Sequence, residues 1–290
     1  MRIKIPALAA AATLAVSTVA SAVGLYPDFT VSTTSIPGSV GTFDALIADS
    51  YVADQLNGSY REIITINPSG SFTSKIVATF TAALYNAAPV GTPLGTQTGM
   101  GFFYNVYAVM DVTGTASVGG FTGGASTISV YLDADVLASP TSFLFGATGA
   151  DPITFLGSAD DYLLGTASTT NPGDVDLVVP AAFNFFFQNF ALTVADQQAA
   201  AGTQSGKTFF VAPPDFYISL HSDGDINEQT VGQLNALIAE AFGTGQAATG
   251  QLGGDLSADF SQPVPEPGAL ALAGLALGLM GVFGRKRNVL

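Results

Sequence analysis

Turn-forming residues interrupt this chain too often for long helices to dominate, and that punctuation constrains the fold most. Between Val23 and Phe260, short runs rich in Thr, Val, Ile, Phe and Tyr alternate with clusters of Gly, Pro, Asn and Asp. The runs predict strands over 61–66, 71–83, 106–118, 126–132, 141–145, 182–194, 208–212 and 216–221. Asn67, Pro68, Ser69 and Gly70 separate the first two, which predicts a hairpin. One segment has a different period: Val231, Leu234, Leu237, Ile238, Ala241 and Phe242 recur at helical spacing over 230–242, and Gly243 and Gly245 stop the pattern. Residues 254–260 alternate and predict a last strand. The expected class is all-β, mainly antiparallel, with a β-sandwich-like body and one amphipathic helix packed on a sheet.

Charge narrows what such a body can bind. The chain has 290 residues, with 22 acids against 8 bases. Five of the bases (Arg2, Lys4, Arg285, Lys286 and Arg287) sit in the first four or last six residues. Without those short ends, Arg61, Lys75 and Lys207 face all the acids, and the net charge is near −19. Such a surface repels nucleic acid and anionic headgroups and favours cations. There is no Cys, so disulfides and thiolate chemistry are excluded. His221 is the single histidine, which excludes histidine-rich sites, and on a 217–221 strand it reads as structural or exposed rather than as a base. Trp is absent, leaving Tyr and Phe to make any aromatic platform.

Both ends read as addresses. At the N-terminus, Arg2 and Lys4 precede an apolar stretch over 5–16 and the small-residue signal Ala20-Ser21-Ala22. This is the pattern of a signal peptide over 1–22, cut before Val23. At the C-terminus, Val264-Pro265-Glu266-Pro267 leads into an apolar run over 268–284, followed by Arg285, Lys286 and Arg287. The run has the length of a short membrane-crossing helix. The positive-inside rule leaves its basic end in the cytoplasm and the body on the far side, as the signal peptide also requires. Pro265 and Pro267 keep the segment before the helix extended, and Glu266 supplies a charge at the membrane surface. The expected organisation is signal peptide 1–22, acidic body 23–260, and linker with C-terminal signal 261–290.

This order of Pro-Glu-Pro, apolar helix and basic cluster resembles the PEP-CTERM sorting signal of Gram-negative bacteria. The resemblance implies passage through the general export machinery, a membrane-tethered stage, and cleavage near the motif by an exosortase. It implies a final place at the cell surface or in the extracellular matrix. The body is similar, in short pieces, to the flocculation-associated PEP-CTERM subfamily. Those pieces are 53–62, Tyr131-Leu132-Asp133, 157–163 and 254–258. That likeness implies a role in cell aggregation within exopolysaccharide and brings no catalytic motif. Two other expectations stand beside it: an extracellular polysaccharide-active enzyme, and a permanently anchored binding protein.

Several local patterns invite chemistry. Asp223, Asp225 and Asn227 place oxygen ligands at alternate positions, as calcium loops do. Glu228 stands where such loops carry Gly, and Leu234 where they carry a bidentate acid, so a solvated acidic turn competes with the calcium reading. Asp133/Asp135, Asp160/Asp161 and Asp174/Asp176 offer further carboxylates, either as extra ligands or as surface charge. Gly206-Lys207-Thr208 matches the end of a phosphate-binding loop, but 209–211 reads as strand and Pro213-Pro214 blocks the helix that loop needs. Asn57-Gly58-Ser59 is a formal glycosylation sequon that reads as a turn. The aromatic run 183–190 reads as a buried strand, with a sugar platform as its alternative. No catalytic constellation emerges, and the expectation is a non-enzymatic protein.

Overall fold

A computed structural model describes residues 28–34, 36, 49–85, 88–90, 98–134, 136–137, 139–171, 174–176, 184–191, 209–212, 217–221 and 228–261. In chain order the strands are β1 (Phe29–Ser32), β2 (Ser50–Ala53), β3 (Gln55–Ile66), β4 (Ser71–Tyr85), β5 (Ala88–Pro89), β6 (Asn105–Ser117) and β7 (Gly120–Asp133). They continue with β8 (Ser142–Leu144), β9 (Thr154–Leu156), β10 (Tyr162–Asn171), β11 (Asp174–Asp176), β12 (Asn184–Ala191), β13 (Phe210–Ala212), β14 (Tyr217–His221) and β15 (Ala248–Ser261). The helix α1 (Glu228–Thr244) lies between β14 and β15.

The chain is all-β and antiparallel, as its punctuation predicts. The arrangement is a closed sheet rather than two stacked ones. From β3 the pairing runs through β4, β6, β7, β10, β12, β14 and β15, and β15 returns to β3. Closure depends on β10, which pairs β12 along one edge and β7 along the other. The result is an up-and-down barrel, which leaves no open edge in its wall. Local pattern shows strands but not whether the sheet is one or two, because the closing β15–β3 ladder joins segments far apart in sequence.

Side-chain alternation sets the inside and outside. Ile64, Ile66, Phe72, Ile76, Ala78, Phe80, Val106, Ala108, Met110, Ile128, Val130, Leu132 and Leu252 are buried in one core. Their neighbours Thr79, Thr113, Thr115, Thr122, Thr127 and Gln251 occupy the opposite parity and face outward. An apolar interior under a threonine-rich exterior is the reverse of a membrane-spanning barrel, whose apolar band meets lipid. An eight-stranded ring is just wide enough for side chains to fill it.

Both ends of the barrel are stoppered. At the end where β3 turns into β4, Gly70 has φ 86, which a residue with a side chain resists, and the Asn67–Ser71 backbone pair closes the hairpin. Near this end α1 lays Leu234, Ile238 and Ala241 into the core. A Cβ at Gly250 would stand only 2.6 Å from a Leu237 methyl, so the bare glycine lets the helix approach β15. At the other end a small sheet, ordered β13–β1–β2, adds Phe29, Val31, Tyr51 and Phe210 to the same core. There the Tyr51 and Tyr104 hydroxyls meet at 3.0 Å in a buried pair.

Candidate functional site

The connection from β7 to β10 does not take a short turn. It runs back over the outside of the barrel as a strap and carries the hairpin β8–β9, in which Phe143 opposes Phe155. Four anchors hold it down. Phe143 meets the Tyr107 ring edge-on at 5.1 Å, and Phe155 lies 6.3 Å from Tyr107 and 6.4 Å from Tyr131. The Arg61 guanidinium sits 5.5 Å above the Phe145 ring. The Gly149 N–H donates to Thr65 Oγ1 at 2.9 Å, and that hydroxyl shares a 2.8 Å hydrogen bond with Thr249.

The fourth anchor is polar. The Thr141 N–H donates to Asp133 Oδ2 at 3.0 Å, and its hydroxyl lies 3.0 and 2.8 Å from the two carboxylate oxygens of Asp161. The Tyr107 hydroxyl donates to Asp161 Oδ2 at 2.6 Å. Both aspartates are buried, at 2% and 4% exposure. Burial, with Asp161 beside it, holds the Tyr107 phenol far above its usual range, so it remains a donor. Asn105 pairs across the ladder with Asp133 and has the parity of Tyr107. Among the described residues its buried Oδ1 has no hydrogen-bond partner.

Strap and wall enclose a cleft of about 210 Å³, lined by Tyr107, Tyr131, Phe155, Ser158 and Asp161. The two tyrosines stack at 5.0 Å with their planes 14° apart. The cross-strand register of β6 and β7 dictates this stack, because Tyr107 and Tyr131 are direct partners on the outward face.

A second polar group lies inside the barrel. Glu62 points inward opposite Ile76 and Leu252, and the Ser74 hydroxyl donates to its Oε1. Burial, only partly offset by that hydrogen bond, pushes its carboxyl up to about 7.

The structure brings together two carboxylates that the sequence placed in different pairs: Asp133 and Asp161 converge on Thr141. Asp174 lies on β11, opposite Thr122. Among the described residues no three His, Asp or Glu gather as a metal would require. Asp223, Asp225 and Asn227 lie outside the described residues, as do the phosphate-loop match over 201–208, the cleavage residues Ala20, Ala22 and Val23, and the C-terminal Val264, Pro265, Glu266, Pro267, Arg285, Lys286 and Arg287. The sequon is not a turn: Asn57 and Ser59 lie within β3, where Asn57 accepts from Ser257 at 2.8 Å. Sequence reasoning missed the Tyr107–Tyr131 stack and Glu62. Matching parity in two predicted strands was the available signal for the first.

A family model for the PEP-CTERM protein-sorting motif matches residues 263–287. Neither the curated proteins nor the solved structures yield a match. The motif has the Pro-Glu-Pro, apolar and basic order set out above, and the barrel precedes it directly, with β15 ending at Ser261. The chain therefore carries a PEP-CTERM sorting signal, which marks it as an exported surface protein of the kind an exosortase processes in Gram-negative bacteria.

Proposed function

We propose that the delivered barrel is a non-enzymatic protein of the cell surface or extracellular matrix that promotes aggregation by associating with exopolysaccharide. The observation that carries this reading is the sorting signal at 263–287, joined to a domain with a packed interior and a polar exterior. Among the described residues the interior is packed with apolar side chains, so recognition falls to the outer surface, where the strap forms a cleft.

The acids argue for binding over hydrolysis. A glycosidase needs two carboxyl groups flanking the scissile bond with space between them. Here Asp133 and Asp161 are both buried and both held by Thr141, which occupies that space. The body's likeness to the flocculation-associated subfamily points the same way.

The test is to delete the gene for this chain in the producing cell and measure aggregation, then restore the full-length protein. The reading expects loss and recovery of aggregates, with the protein recovered in the polysaccharide fraction. Unchanged aggregation in the deletion strain overturns it.

A further inference from the structure

We propose that the cleft under the strap binds one pyranose unit of a polysaccharide and prefers a unit with a free amine to one with a carboxylate. This rests on the surface-binding reading above and deepens it by naming the class of sugar.

Size comes first. At about 210 Å³ the cleft is smaller than the ~300–1,000 Å³ of sites that enclose drug-sized ligands, so it suits a single ring. Its walls suit that ring. Tyr107 and Tyr131 lie nearly parallel, and Phe155 is turned 35° and 48° from them, so aromatic surface lines more than one side. A pyranose presents a face of C–H groups, slightly positive, to the negative face of an aromatic ring. Ser158 adds a hydroxyl for exchange with sugar hydroxyls.

Charge selects the substituent. Asp161 is the acidic residue of the lining, and among the described residues no basic one lines the cleft. Arg61, which meets the strap, lies over Phe145 instead. A uronate would bring a second negative charge against Asp161 in a chain whose formal charge is −14. An ammonium group gains from Asp161. The carboxylate is already fixed by Tyr107 and Thr141, so binding costs little reordering.

The experiment is calorimetric titration of the exported, processed protein with tetramers of glucosamine, N-acetylglucosamine and galacturonate, at a pH where the amine is charged. The glucosamine tetramer should bind at least tenfold tighter than its N-acetyl form, and the galacturonate should not bind. Tyr131→Ala should weaken binding at least tenfold with the melting transition still cooperative. Asp161→Asn should erase the preference for the amine while keeping N-acetyl binding. Because Asp161 is buried and that variant can fail to fold, salt titration of the unaltered protein gives a second readout: affinity for the glucosamine tetramer should fall with salt, and that for the N-acetyl form should not. Galacturonate binding as tight as glucosamine, no binding by any of the three, or binding unchanged in Tyr131→Ala overturns the proposal. If Tyr131→Ala fully restores aggregation to a deletion strain, the cleft assignment fails while the surface reading stands.

Discussion

The two faces of the wall formed by β3, β4, β6 and β7 come from alternate residues of the same strands, yet they surround buried carboxyl groups with different partners. Inside, Glu62 accepts a hydrogen bond from Ser74 and has apolar partners across both ladders. Outside, Asp161 receives donors from Tyr107 and Thr141 beneath the strap. Both groups are nearly inaccessible, but their hydrogen-bond partners differ. Around Glu62 burial outweighs the Ser74 hydrogen bond and pushes the carboxyl toward its neutral form.

The sharpest contrast between the faces is in packing. Phe80 is 1% exposed and points inward, so Phe80→Ala should destabilise the barrel by about 3–5 kcal/mol, read from urea denaturation. Its outward counterpart is the exposed Thr127, and Thr127→Ala should stay within about 0.5 kcal/mol. Comparable losses at both positions would mean the inside and outside have been assigned wrongly.

The next effect depends on pH. Glu62 has a raised folded value, so the native state keeps a proton that the unfolded chain has given up. Stability from this group is therefore full below the ordinary carboxyl range, falls as pH rises, and is lost above about 7. Glu62→Gln keeps an acceptor for Ser74 and cannot ionise. It should match the unaltered protein at pH 4 and exceed it at pH 8 by about 1–3 kcal/mol. A difference independent of pH would show that shape rather than charge is responsible.

On the outside, Tyr107→Phe removes one donor from Asp161 and leaves the ring stack in place. A loss of about 1–3 kcal/mol is expected, because the acceptor stays buried while Thr141 continues to serve it. The smallest effect belongs to the ion pair of half-buried Lys75 and exposed Asp111, cross-strand partners on the outer face. A double-mutant cycle there should return a coupling below about 1 kcal/mol, and high salt should shrink it further.

Much of this comparison was legible in the residues. The predicted 71–83 and 106–118 coincide closely with β4 and β6, and the helix at 230–242 grows by a turn to Glu228–Thr244. The last strand starts earlier than predicted, at Ala248, because Gly250, Gly253 and Gly254 hide its pattern. Strands β1, β2, β5, β9, β10 and β11 were not predicted. The first two, Phe29–Ser32 and Ser50–Ala53, are short, and β10 is rich in Gly, Ala, Ser and Thr, which carry little apolar signal. Glu62 was hidden for another reason. It stands between Arg61 and the run Ile63-Ile64-Thr65-Ile66, where apolar residues fill both parities and local alternation gives no direction. The wall there is apolar on both sides because the strap covers its outer face, with Gly149 bonded to Thr65. The cleft was invisible for the same cause: no local pattern shows that 139–157 folds back over the barrel.

The central claim is that this barrel is cargo for a C-terminal sorting signal, and intact mass of the exported protein tests it most directly. The measurement compares the native chain with a variant in which Pro265, Glu266 and Pro267 are all replaced by Ala. The native protein should leave the membrane fraction with a mass that lacks the apolar run 268–284, and the variant should keep that run and stay with the membrane. A native protein that retains residues 268–290, or a variant released with the same mass as the native one, would contradict the account.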